Sequence, residues 1–322
     1  MSDVPSKSLQ GSPEDAAADS SADPATQAFV EHRELLFSIV YNMLGTVADT
    51  EDVLQDTWLS WERRNQAPDA EPIDKPRAYL VRVAVNQALA RQAAISRRRE
   101  TYVGPWLPEP LVSPMADTSV PDAADAADRA VRSESVSMAL LVVLDSLTPL
   151  ERAVFVLHEV FGYQHTETAE ILGRGPAAIR QLAHRAREHV HARRPRYRTD
   201  PRVRQRVTER FVAAAAGGDL DALLEILSPD VVMVNDGGGK VQGAGLRPVH
   251  GRDNVARFFI AVASRTPEAL EIGYRRVNGD PSVVLFTDGA PYAVLVLDLT
   301  PEGDQVRSIY AVGNPDKLVH VG

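Results

Sequence analysis

The stretch from Leu147 to Val190 constrains this chain most, because its punctuation admits little except short helices joined by a tight turn. Thr148 is placed to cap a helix and Pro149 suits its first position. Glu151 stands three residues after the cap, where its carboxylate reaches back to the capping N–H. Leu150, Val154, Leu157 and Phe161 recur at three- and four-residue steps and give that helix one buried face. A second short helix is expected at about Thr166 to Leu172. Gly173-Arg174-Gly175 ends it, and Pro176 opens a third, where a missing N–H costs nothing. In the third helix Ile179, Leu182, Ala183, Ala186 and Val190 form an inward stripe, which leaves Arg180, Gln181, His184, Arg185 and Arg187 outward or flanking it. Arginine pairs bidentately with guanine and glutamine with adenine, and both hold phosphates, so this face suits a DNA major groove. A solvated face on a small helical bundle is the plainer alternative.

At 322 residues the chain is long enough for two or three domains, each with its own core. It contains no cysteine, which excludes disulfides, thiolate zinc sites and thiol redox switching. No apolar run approaches the roughly 20 residues that span a bilayer, and the N-terminus lacks a signal peptide's basic and apolar regions. A cytoplasmic protein without membrane contact is expected, with no metal and no cofactor. The net charge of -9 argues against a surface that coats DNA uniformly, but the arginines crowd into 97 to 99 and 174 to 210.

Residues 1–24 are rich in Ser, Ala, Asp, Pro and Glu, too poor in apolar surface to offset the entropy of ordering, and read as a disordered tail. Phe29, Leu36, Ile39, Val40 and Met43 mark a helix that Gly45 ends. Asp49 or Thr50 is expected to cap the next helix. Its apolar side is Val53, Leu54, Thr57, Trp58 and Trp61, and its acidic side is Asp49, Asp52 and Asp56. An acidic face repels DNA and suits a basic protein partner, or is merely solvated. A helix from Pro76 to about Ser96 packs Tyr79, Leu80, Val83, Ala84 and Ala88 inward. It keeps Asn86 and Arg91 away from that seam and runs into Arg97-Arg98-Arg99, which add phosphate contacts. The link at about 101 to 130 is too polar for a core, yet the cluster Tyr102 to Pro110 is unlike a simple spacer and should dock on something.

A basic hinge then leads into a helix, a Gly-Gly-Asp break, a second helix and an apolar strand. A helix at about 252 to 264 and alternating runs at 270 to 277, 282 to 287, 291 to 299 and 305 to 312 complete an α+β cone with a pocket able to take a small-molecule ligand. Asp236 and His250 are its acid or base candidates. Asp236 lies in Asp236-Gly237-Gly238-Gly239-Lys240, whose three glycines indicate a tight exposed turn.

An acidic helix, a basic helix, a linker and a terminal helix-turn-helix together resemble a bacterial sigma factor of the extracytoplasmic-function (ECF) type, over residues 27 to 195. DTEDVLQDTWLSW is similar to the helix that docks on the clamp helices of RNA polymerase beta-prime, and FGYQHTETAEILGRGPAAIRQLAHRAR to the module that reads the minus-thirty-five element. The resemblance implies polymerase binding through Asp49, Asp52, Gln55, Asp56 and Trp58, with the beta flap as a further contact. It implies promoter binding through Asn86, Arg91, Arg97, Arg98, Arg180, Gln181, His184, Arg185 and Arg187. The family pattern carries an acidic residue four after the asparagine and basic residues soon after it, where this chain has Ala90, Gln92 and Ala93. That departure bears on minus-ten melting. Two weak readers tethered on polymerase would act as one bivalent reader.

Residues 205 to 315 resemble the SnoaL-like (NTF2-like) fold. WLPEP (Trp106, Leu107, Pro108, Glu109, Pro110), DGGGK (Asp236, Gly237, Gly238, Gly239, Lys240) and NPDKL (Asn314, Pro315, Asp316, Lys317, Leu318) mark the ECF subgroup with a fused SnoaL-like domain. The implied layout is a sigma region 2 domain at 25–100, a linker at 101–133, a region 4 domain at 134–195, a hinge at 196–204 and a regulatory domain at 205–322. The fold class is thus multidomain, two all-α sigma domains and an α+β cone. The subgroup implies regulation in cis without a separate anti-sigma factor, and the glycine-rich setting of Asp236 leads to the expectation of no enzyme activity. DGGGK and the linker are expected to face each other, with Trp106 and Leu107 as apolar anchors and Asp236 and Lys240 as polar rim; NPDKL is either a closing turn of the sheet or a strap. The rival expectation is a ligand-sensing DNA-binding regulator that works without polymerase docking.

Overall fold

A computed structural model describes residues 23–68, 71–115, 136–193, 199–241, 245–264 and 270–321. The expected tail lies outside the described residues except for Asp23 and Pro24. So do the second half of the linker and the first part of the hinge.

Helix α1 spans Pro24–Leu44, α2 Val47–Gln66 and α3 Pro76–Glu100. Asp23 caps α1 by accepting from the Thr26 N–H, and Gly45 closes it in the left-handed region. Thr46 is then already extended and occupies the capping position of α2, so Asp49 lies inside the first turn and does not cap. Helix α4 is Met138–Leu144 and α5 Pro149–Phe155, with the Thr148–Glu151 capping box in place. A π-helical turn at Val156–Val160 leads to α6, His165–Leu172, and α7, Pro176–Arg193. The α7 stripe is buried at Ile179, Leu182, Ala183, Ala186 and Val190, as its spacing predicts.

The C-terminal part holds α8 (Pro201–Gly217), α9 (Leu220–Ile226) and α10 (Arg252–Ala263). Its strands are β2 (Leu227–Asp236), β3 (Val249–His250), β4 (Leu270–Val277), β5 (Asp280–Thr287), β6 (Ala290–Leu299) and β7 (Val306–Val312). A linker strand β1, Val112–Pro114, joins the same sheet, whose order is β1-β4-β5-β6-β7-β2-β3. Val112 lies opposite Val277 and Pro114 opposite Arg275, antiparallel.

The linker and the hinge also differ from expectation. The linker is not too polar for a core: Leu107 is fully buried, and β1 takes a sheet edge. The hinge is shorter than expected, because Asp200 caps α8 and Pro201 fills its first turn. Arg204 is therefore buried and donates to the Leu297 carbonyl at 3.1 Å.

Among the described residues three apolar cores result. One runs from Phe29 to Val190 and is shared by α1–α3 with α4–α7. A second packs Val207, Phe211, Val255 and Phe259 of the C-terminal helices on Val231, Met233, Leu295, Leu297 and Ile309 of the sheet. The third puts Leu107 of the linker and Met138 and Ala139 of α4 on Val284, Val294, Val296 and Val312, with Leu318 and Val321 from the chain end. Burying such side chains is the dominant favourable term in folding, and here it also joins the helical half to the sheet.

Candidate functional site

The linker meets the end of β2 through a buried carboxylate. Asp236 has no exposed surface, so the expected exposed turn begins only after it; the glycines lie beyond the strand end. One oxygen accepts from the Leu107 N–H at 2.8 Å and from the Lys317 ammonium at 2.7 Å. The other accepts from the Tyr102 hydroxyl at 2.5 Å and from the Gly238 N–H at 3.1 Å. Lys317 also donates to the Leu107 carbonyl at 2.5 Å, and Asn314 donates from its amide to the Tyr102 oxygen at 2.7 Å. A buried charge is tolerable only when paired and hydrogen-bonded, which this arrangement achieves from both chain segments. Burial nevertheless pulls the Lys317 ammonium down to about 8, against the opposing pull of Asp236.

Gly238 explains why that loop is glycine-rich. Its φ is +58°, and a Cβ there would lie 2.4 Å from the Asn314 amide nitrogen. Only glycine lets DGGGK and NPDKL approach this closely. Lys240 belongs to that same pairing: it holds exposed Asp316 at 2.6 Å and does not contribute a rim to the linker. Pro315–Lys317 form a 3-10 turn, and Asn314 and Lys317 bond to Tyr102 and Leu107 of the linker.

Trp106 is a platform for cations more than an apolar anchor. The Arg99 guanidinium sits 3.4 Å and the Lys317 ammonium 4.2 Å from its ring centroid. Arg99, at the end of α3, pairs with Asp145 just beyond α4, and Arg152 of α5 pairs with the same carboxylate at 3.0 Å. Arg152 is buried and donates to the Asn42 carbonyl of α1 at 2.9 Å. Burial draws its guanidinium down to about 10.

Glu109 ties the linker to α1 and α2. Its N–H donates to the Gly45 carbonyl at 2.9 Å, and its carboxylate accepts from the Val47 N–H at 2.8 Å. Burial holds that carboxyl above the usual carboxylate range. The Tyr41 hydroxyl donates to the Glu109 carbonyl at 2.6 Å and accepts from the Asn278 amide at 2.8 Å. One phenol thus links α1, the linker and the β4–β5 turn. Tyr41, Asp145, Arg152 and Asn278 were not legible as interdomain residues. Tyr41 sits in an apolar helix and Asn278 in a turn, and neither type at that place signals a distant partner.

On α2, Gln55 and Asp56 are exposed and Trp58 is half-buried, its ring edge-on to Phe29 with centroids 5.1 Å apart. Phe29, Arg33, Glu51, Asp52, Leu54, Gln55 and Trp58 line a cleft of about 290 Å³. Asp49 departs from expectation. It is buried, accepting from Arg91 at 2.9 Å and from Arg98 at 2.7 and 2.8 Å, so it offers no open acidic surface. Despite its burial, its hydrogen bonds from Thr46, Arg98 and Arg91 hold its pKa below the ordinary value. Arg91 and Arg98, expected to face DNA, are thereby paired within the protein, while Arg97 stays exposed. Asn86 donates to the Ile171 carbonyl at 3.2 Å, against α6.

On α7, Arg180, Gln181 and His184 are exposed. Arg185 pairs with Glu151 at 3.3 Å and Arg187 with Glu159 at 3.1 Å. In the cone, the space between helices and sheet is filled by the second core, and His250 is exposed. A cavity of about 410 Å³ lies between α8 and α9, lined by Arg210, Ala213, Gly217, Asp219 and Ile226, and neither Asp236 nor His250 reaches it. Asp236 and His250 therefore do not form the acid and base of one pocket. Among the described residues no group of three or more His, Cys, Asp or Glu side chains could hold a metal ion, and no helix is long and apolar enough to cross a membrane.

Residues 28–99 match the model of sigma-70 region 2, residues 137–190 that of sigma-70 region 4, and residues 208–311 that of the SnoaL-like domain. The chain is 38% identical over 297 residues to the ECF RNA polymerase sigma factor SigJ of Mycobacterium tuberculosis, covering 89% of this chain and 90% of that one. It is 32% identical over 298 residues to the probable ECF RNA polymerase sigma factor SigI of the same species, covering 92% and 95%. The crystal structure of Mycobacterium tuberculosis SigJ superposes with a TM-score of 0.70 at 33% identity, over 92% of this chain and 98% of that one. The two sigma-70 regions, the SnoaL-like domain and these relatives along nearly the whole length together show that the chain belongs to the ECF RNA polymerase sigma factors, which direct RNA polymerase to initiate transcription, and to those among them that carry a fused C-terminal SnoaL-like domain.

Proposed function

We propose that the SnoaL-like domain and the linker hold this sigma factor in a closed state, in which regions 2 and 4 cannot both engage promoter DNA, and that opening makes it competent. The observation that carries this reading is the shared core of the two regions, with Asn86 of the minus-ten helix set against the Ile171 carbonyl of the minus-thirty-five module. Two readers of separated promoter elements work as a bivalent reader only when their span matches the elements, and packing them together forfeits that gain. Asp236, Lys317, Leu107 and the Tyr41–Glu109 bond act as the clasp, so a separate anti-sigma factor is not required.

In the open state the α2 cleft, with Asp52, Gln55, Asp56 and Trp58 in or beside it, docks on the clamp helices of beta-prime, and region 4 engages the beta flap. Asn86, Arg91, Arg97 and Arg98 serve the minus-ten element, and Arg180, Gln181, His184, Arg185 and Arg187 serve the minus-thirty-five element. Melting proceeds by capture of single-stranded bases, which needs no covalent chemistry; the effect of Ala90, Gln92 and Ala93 falls on this step. Run-off transcription with purified core polymerase, paired with small-angle scattering, tests the reading. Trp106→Ala should expand the chain and raise promoter-dependent initiation. Unchanged scattering together with unchanged initiation would refute it.

A further inference from the structure

Helices α2 and α3 lie side by side and set two carboxylates one turn apart, Asp49 and Asp52, against two guanidinium groups two turns apart, Arg91 and Arg98. Arg91 is forked between both carboxylates, with Asp49 at 2.9 Å and with Asp52, while Arg98 takes Asp49. The two acids differ in setting. The Asp49 side chain is 6% exposed and that of Asp52 is 53% exposed. Asp52 also lines the α2 cleft beside Glu51 and Trp58, so it is the point at which the cleft and the cation row of α3 meet.

From this geometry we infer that Asp52 couples polymerase docking to DNA binding: a basic partner seated in the cleft takes Asp52, and Arg91 is released toward the DNA backbone. An arginine fork binds carboxylate and phosphate with the same geometry, so the two aspartates occupy Arg91 as a phosphate would. Asp49, buried and hydrogen-bonded, keeps the guanidinium oriented after release. Asp52, half exposed, is the exchangeable partner, because pairs in contact with water are held weakly. Such coupling is reciprocal, so DNA on Arg91 strengthens docking at the cleft to the same degree. The inference rests on placing polymerase at the α2 cleft, and Asp52 is a positioning residue in it.

Asp52→Asn in the full chain tests it with two titrations, of a fluorescent single-stranded oligonucleotide and of purified core polymerase. Circular dichroism verifies the fold, which a surface amide in place of a carboxylate preserves. The substitution should tighten oligonucleotide binding about threefold and steepen the dependence of log K on log salt by up to about 0.7, the increment for one released cation on a single strand. It should weaken core polymerase binding at the same time. In an Arg91→Ala background the gain in oligonucleotide affinity should vanish. Equal tightening in that background would reduce the effect to net charge and overturn the inference. Unchanged oligonucleotide binding with weakened polymerase binding would overturn the coupling and leave the cleft assignment standing. Tighter oligonucleotide binding with unchanged polymerase binding would overturn both.

Discussion

Replacing Leu107 by alanine separates a clasp from a mere piece of domain core. The side chain has no exposed surface and packs among Val284, Val294, Val296 and Leu318 of the C-terminal half, yet its backbone belongs to the linker. A buried Leu→Ala substitution costs about 2–5 kcal/mol. If the open chain already leaves Leu107 in water, that cost falls on the closed-to-open equilibrium and spares the stability of the individual domains. Taking about 3 kcal/mol, the ratio of closed to open drops by about a hundredfold, enough to move a population of about 99:1 to near equality. The absence of cysteine makes the assay direct, since Gln66→Cys on α2 and Glu188→Cys on α7, both exposed, accept a donor and an acceptor dye without background. Energy transfer between them should fall in Leu107→Ala, and initiation should rise. Unchanged transfer with a thermal midpoint lowered by several degrees would refute the reasoning, since the full cost would then have gone into unfolding.

Closure should also depend on pH, rising and then falling. Lys317 titrates near 8 in the closed state and near its ordinary 10.5 when released, so the closed form sheds that proton first and closure strengthens as pH climbs from about 8 toward 10. Tyr41 and Tyr102 are pushed up by burial, so above about pH 10 the open chain ionises phenols that the closed chain keeps neutral, and closure weakens again. The same dye pair reads both limbs, and transfer that falls steadily from pH 8 would contradict this. Gly238→Ala should open the chain as well, because it adds the cost of a left-handed alanine, about 1–2 kcal/mol, to a Cβ placed 2.6 Å from the Asn314 side-chain carbon. Wild-type melting and wild-type transfer in that variant would count against the close approach. Arg180→Ala and Gln181→Ala should each weaken promoter binding by about 1–3 kcal/mol while leaving core polymerase affinity unchanged, measured by promoter retention of the reconstituted holoenzyme. Equal loss on promoters lacking the minus-thirty-five element would show that they hold phosphates and do not read bases.

The helical elements were legible because their signals are local. Thr148, Pro149 and Glu151 act within one turn, Gly45 and Gly173 stop helices by their own backbone freedom, and the α7 stripe follows from the helical period. The strands from Leu270 to Val312 were legible for the same reason, as alternation between two faces of a sheet. Asp49 shows where this fails. Its acidic neighbours mark an outward face, but Arg91 and Arg98 come to it from 42 and 49 residues away, and no periodicity on α2 announces them.

The order of the parts and the kind of protein, a polymerase-directed sigma factor with a fused SnoaL-like domain, lay in the sequence itself, in helix signals, arginine placement and three short motifs. What the motifs do to one another was decided only in three dimensions. Asp236, Leu107 and Lys317 converge from sites 129 and 81 residues apart, and Tyr41 meets Asn278 across 237. A charged or polar group shows its own preference for water in the sequence, but whether it is buried depends on a partner supplied by another segment, and only the fold brings that partner within bonding distance.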